Sequence, residues 1–217
     1  MLEELFTVTE IRVGAKKLTA RVRVNDGMPL RTSADTNATA RVYYLAPAIA
    51  QHACLGDRGE HFQDCMIDTE LAHLLEHVTV EIMIETGIAG RVVSGRTHSV
   101  PGDERSFDIE LSCPDDALTV GALSSAAFMI EWAFLHSQTQ PTPDFPGTVA
   151  ALRQLVMSLR GEEERAAGEA MVVEGEPTKQ VEESEEEEAD MAELGAQVLF
   201  GASAANRYVA PVGSDAE

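Results

Sequence analysis

The sequence is poor in positive charge, in cysteine and in long apolar runs, and each shortage narrows what the chain can be. Of 217 residues, 16 are Lys or Arg against 37 Asp or Glu, a formal net charge of −21. There is no basic stripe to neutralise phosphates, which argues against a nucleic-acid partner. Three cysteines, Cys54, Cys65 and Cys113, contain no CxxC pair. So odd and sparse a set predicts no disulfide framework and fits a reducing, cytoplasmic compartment. The opening residues, MLEELFTVTE, lack the basic-then-apolar pattern of a signal peptide. No uncharged apolar run reaches the roughly 18 residues of a membrane span, so no membrane partner is expected.

The charge is also uneven. Residues 161–217 hold 16 acidic and 3 basic side chains, and residues 1–160 hold 21 and 13. The segment GEEERAAGEAMVVEGEPTKQVEESEEEEAD has too few large apolar residues to offset chain entropy. This predicts a folded domain over 1–160 and a disordered acidic tail over 161–217. The tail's short apolar patch, MAELGAQVLFG, is a candidate for docking a partner.

Within the domain, residues 6–13 and 18–24 alternate as half-buried strands do, joined by a hairpin at VGAKK. Residues 37–54 read as helical, bent or broken at Pro47. A second helix spans residues 69–86, with Asp68 as N-cap and Gly87 as its stop. GRVVSG is a short apolar stretch, RTHSVPGDER a polar loop, and SFDIELS a strand. A long buried helix follows from PDDAL, and a last helix ends near Arg160. This order predicts an α+β fold, a small and mainly antiparallel sheet packed against helices.

The second helix carries the chemistry. LAHLLEHVTVEIM places two histidines and two glutamates in an apolar segment with no Lys or Arg. At about 100° per residue, with His73 at zero, His77 falls at about 40°, Glu81 at about 80° and Glu76 at about −60°. One sector therefore holds all four, while Leu71, Leu74, Leu75, Val78 and Ile82 form a core face. Two histidines four apart on one face can reach a single metal ion. The order His-x-x-Glu-His inverts the zincin motif and predicts catalytic zinc. Glu76 is placed to take a proton from metal-activated water, and Glu81, one turn past His77, is the candidate third ligand. Arg91 and Arg96 are candidates for binding a substrate carboxylate. Trp132 reads as core.

The stretch from LAPAIAQHACLGD to SFDIEL resembles the N-terminal domain of cyanophycin synthetase. The likeness covers about residues 40–135 and rests on order and spacing: His52, Cys54 and Gly56, then Phe62, then His73, Glu76, His77 and Glu81, then Gly95, Arg96 and Thr97, then Phe107 and Glu110. The resemblance implies a pitrilysin-like zinc metallopeptidase that cuts cyanophycin, a polyaspartate bearing arginine on each side chain. In that case His73, His77 and Glu81 hold zinc, Glu76 activates water, and Arg96 and His98 bind substrate. His98 stands where the family's pattern has arginine, which weakens carboxylate binding at neutral pH, so a related aspartate-rich peptide is an equal candidate. The family's ATP-dependent synthetase domains have no counterpart here, and the chain has no glycine-rich phosphate loop. Cys113 is an alternative ligand, by likeness to S-ribosylhomocysteine lyase, which pairs a similar helix with a distant cysteine. Two readings other than a hydrolase remain open: a small-molecule metal lyase, and a non-catalytic module that keeps the fold and binds the polymer or a synthetase. Homo-oligomerisation is open as well.

Overall fold

A computed structural model of the chain describes residues 4–54, 58–90 and 93–173, with side chains up to 162. The chain divides into two units, Met1–Glu162 and Glu163–Glu217.

Four strands form one antiparallel sheet: β1 (Phe6–Val13), β2 (Lys17–Val24), β3 (Gly95–Val100) and β4 (Asp103–Ser112), in the order β1-β2-β4-β3. Strand alternation sorts the side chains onto two faces. Leu18, Ala20 and Val22 lie opposite Leu111, Ile109 and Phe107 and are all buried, forming the inner face. The intervening Arg21 and Asp108, or Lys17 and Glu110, face outwards and pair in solvent. The sheet tightens at its hairpins, where Gly14 donates to the Lys17 carbonyl and Gly102 takes a positive φ between β3 and β4.

Against the inner face pack α2 (Leu71–Glu85) and α3 (Asp116–Glu131), with α1 (Thr36–Leu45) beside α3. Asp35 caps α1 by accepting from the Ala38 N–H, and Asp115 caps α3 by accepting from that of Leu118. A 3-10 turn at Pro47–Gln51 follows α1, so proline separates two helical pieces as the sequence suggested. A π-helical turn, Trp132–His136, ends α3. Together Asp116–His136 is long and apolar enough to cross a membrane by length and composition alone, and 50% of that window is buried inside the fold.

Three boundaries differ from the sequence reading. α2 starts two residues late, because Asp68 is not its cap: the Asp68 carboxylate accepts from Arg31 Nε and Ser33 Oγ. Two backbone bonds fix the entry to the helix, Thr32 N–H to the Thr69 carbonyl and Leu71 N–H to that of Leu30. The supposed polar loop after GRVVSG is β3 itself. It reads as polar because it is an edge strand whose inward positions are Gly95, Thr97 and Ser99 rather than large apolar residues. Finally, α4 (Phe145–Val173) continues past Arg160, so the backbone that should open a disordered tail is helical to Val173. The rest of the expected tail, including its apolar patch, lies outside the described residues, as do Gly56 and Arg91.

Candidate metal centre

α2 is the most enclosed element of the fold. Apart from Leu71 and its apolar core face, Glu76, His77 and Glu81 are buried too, and only His73 among the four sector residues is half-buried. Burying such groups is costly unless each finds a partner. Among the described residues, no buried side-chain nitrogen or oxygen lacks one.

For His73, His77 and Glu81, partners come from the segment between Pro47 and Cys65. The 3-10 turn delivers His52, whose carbonyl accepts from the Phe62 N–H, while the Cys54 N–H donates to the Glu60 carbonyl. This closes the loop, and a second 3-10 turn, Phe62–Asp64, leads straight into Cys65. The Asp64 carboxylate fixes that turn by accepting from the Glu60 and His61 N–H groups. As a result Cys54 Sγ stands 3.8 Å from Cys65 Sγ and 3.5 Å from His73 Nε2. Donor atoms of Cys54, Cys65 and His73 all lie within 4.8 Å of one another, a group that could hold a metal ion. His77 Nε2 lies 3.1 Å from His73 Nε2, and Phe62 stacks on the His77 ring at 3.9 Å.

A hydrogen-bonded chain runs behind this group. Glu81 Oε2 is 2.7 Å from His52 Nε2, and His52 Nδ1 is 3.2 Å from His77 Nδ1. With Glu81 as carboxylate, His52 donates from Nε2, so its Nδ1 accepts from His77 Nδ1–H. His77 is then left with a bare Nε2 directed at His73, the form in which imidazole ligates metals. Burial drives the His77 pKa down to about 4, so the ring is neutral at physiological pH. The Cys54 thiol is pulled far below its ordinary value, first by the hydrogen bond from Cys65 and then by His73 and His77, against the opposing effect of burial. A thiol so placed is a ready thiolate donor.

Glu76 is held from β3. Its Oε2 accepts a 2.7 Å bond from Thr97 Oγ1, and burial raises its pKa above the usual carboxylate range, partly offset by that bond. β3 passes so close that a Cβ on Gly95 would fall 2.5 Å from Glu76 Cγ. Glycine is thus required at 95 by the carboxyl it covers.

Of the four helix residues that the sequence singled out, the structure brings His73 and His77 together at the donor group and holds Glu76 against Thr97. Glu81, expected as third ligand, is instead engaged with His52. Arg96 and His98 sit in register with Glu110 and Asp108, whose side chains mark the outer face, whereas Thr97 points inwards to Glu76. Strand alternation therefore turns both away from the group. Cys113 is half-buried after β4 and donates its N–H to the Lys16 carbonyl. Cys54 and Cys65 were the residues missed as donors. Zinc sites familiar from sequence space their cysteines as C-x2–4-C, and these two are 11 apart. The one available signal was that His73 and His77 form a His-x3-His unit downstream of both. No protein-family model matches this chain, and no curated protein matches it either.

Proposed function

We propose that the protein is a zinc-dependent hydrolase of an amide bond in cyanophycin or a related acidic peptide, with Cys54, His73 and His77 holding the metal and Glu76 moving the proton. The donor set suits zinc. With Zn–S about 2.3 Å and Zn–N about 2.0–2.1 Å, tetrahedral geometry spaces donors at about 3.8 Å for S···S, about 3.5 Å for S···N and about 3.3 Å for N···N. Within the set, Cys54 Sγ and His73 Nε2 are 3.5 Å apart and the two histidine Nε2 atoms 3.1 Å, while the 3.8 Å between the Cys54 and Cys65 sulfurs suits Cys65 as a further ligand. Bound there, zinc supplies Lewis acidity, which polarises a carbonyl and brings water towards a neutral pKa.

The observation that carries the hydrolase reading is Glu76. A purely structural metal centre has no use for a buried carboxyl one residue from a donor histidine, held by Thr97 and roofed by Gly95. Glu76 accepts the proton of the attacking water as its oxygen joins the carbonyl carbon. It returns that proton to the nitrogen as the C–N bond breaks, so acid and free amine leave. The choice of polymer rests on the resemblance of residues 40–135.

Cys65 favours a second reading. Its Sγ lies within the same donor group, and as a fourth ligand it would close the site, leaving a non-catalytic module. Three measurements separate the two: zinc stoichiometry, mass spectrometry of cyanophycin products, and the same assays on variants. Glu76→Gln is expected to keep zinc and lose cleavage by about 100-fold or more. Cleavage that persists in this variant ends the assignment. Cys65→Ser keeps zinc and cleavage in the hydrolase; loss of zinc together with unfolding instead marks the closed centre.

A further inference from the structure

β1 is an edge strand whose apolar side is left uncovered. Its residues Phe6, Val8, Ile11 and Val13 lie opposite the buried Val24, Val22, Ala20 and Leu18 of β2, and so belong to the sheet's inner, apolar face. Yet among the described residues nothing covers the last three, although Phe6 is buried: Val8 is 40% exposed, Ile11 41% and Val13 55%. An edge with open backbone groups and an exposed apolar face is a template for another strand, and native sheets usually blunt such edges. Here the edge carries a bulge between Val8 and Glu10 and one charge of each sign, Glu10 and Arg12. Beyond the bulge, Glu10 to Val13 runs in unbroken register with Arg21 to Leu18 of β2.

That regular run is self-complementary. If two copies pair antiparallel with Ile11 on the two-fold axis, Glu10 of each copy stands opposite Arg12 of the other, and both lie on the outer face. Ile11 meets its own counterpart on the inner face, and the two apolar faces become continuous. Opposite charges directly across strands stabilise pairing, and a two-fold interface repeats each such contact. Within one copy Arg12 Nε is already 2.9 Å from Glu10, so the two side chains share the same outward surface. We propose that two copies of this chain join through β1, extending the four-stranded sheet across the axis. This pairing is independent of any metal and of the reaction.

The test uses the full chain in sedimentation-equilibrium experiments over a wide concentration range. The wild type is expected to dimerise. Glu10→Arg sets arginine against arginine at both cross-strand positions and is expected to weaken the dimer roughly tenfold. The double variant Glu10→Arg/Arg12→Glu restores opposite charges and is expected to recover it. A second readout is independent of affinity: directly opposite residues have Cα atoms about 4.5–5.5 Å apart, within disulfide reach. Ile11→Cys in a Cys113→Ser background is therefore expected to cross-link rapidly under copper-phenanthroline oxidation, and Thr7→Cys is not. A wild type that stays monomeric throughout overturns the proposal. So does a Glu10→Arg variant that dimerises as well as the wild type, or a failure of Ile11→Cys to cross-link.

Discussion

Two carboxylates in this domain have nearly identical partners by distance and very different roles. On the outer face of the sheet Asp108 lies 2.8 Å from Arg21, with side chains 28% and 35% exposed. Behind the candidate metal centre Glu81 lies 2.7 Å from His52, with side chains 5% and 9% exposed. Water competes for the first pair and screens it. Around the second, water is largely excluded, so losing either member leaves a polar group that nothing else can satisfy. Ion pairs counted by distance alone would rate the two equal. Burial separates them, and only the buried one is coupled to the proposed chemistry.

The comparison is most easily broken at Glu81. Glu81→Ala strands His52 in the interior and removes the acceptor that sets the His77 tautomer. Denaturant unfolding is expected to show a loss of about 3 kcal/mol, the upper end of what an unsatisfied buried donor costs. A double-mutant cycle with His52 should give a large coupling energy, because the two share one network. Zinc affinity should fall with it by about 10- to 100-fold, the usual effect of disturbing a ligand's hydrogen-bond partner. If Glu81 were instead a ligand, its loss would remove the metal outright, and the His52 variant alone would leave binding intact.

How much of this was legible beforehand follows from which elements have a period. The helical repeat put His73, His77, Glu76 and Glu81 in one sector, and the structure finds the two histidines at the donor group, Glu76 under β3 and Glu81 on His52. Strand alternation likewise gave the inner face of β2 in full. What the repeat could not supply was the partner of Glu81. His52 lies 29 residues earlier, at the end of a 3-10 turn, and irregular segments carry no spacing rule. Cys54 and Cys65 were hidden for the same reason. β3 was missed because the residues that form it are polar and read as a loop. Its inward positions are small precisely where Glu76 occupies the space.

That close approach gives the next effect in size. Gly95→Ala puts a methyl group 2.5 Å from Glu76 Cγ, and the carboxyl, being buried, has little room to retreat. Overpacking of this kind costs about 1–3 kcal/mol. Because the displaced group is the proposed proton carrier, kcat should fall further than stability suggests, with zinc content unchanged. A variant as active as the wild type would show that Glu76 need not sit under β3.

The smallest effect belongs to the exposed pair. Arg21→Ala should barely move Tm at neutral pH, and that shift should shrink further in high salt, where surface charges are screened. Its pH dependence has a definite sign. The Arg21 guanidinium holds the Asp108 carboxyl below its usual value, so the folded state binds that proton more weakly than the unfolded chain does. Whatever stability the pair contributes is therefore fully present above the ordinary carboxylate range and lost as pH falls through the depressed value. Wild type and Arg21→Ala should converge in acid and separate slightly at neutral pH. If they instead differ by as much as wild type and Glu81→Ala, exposure does not decide what these two carboxylates are worth.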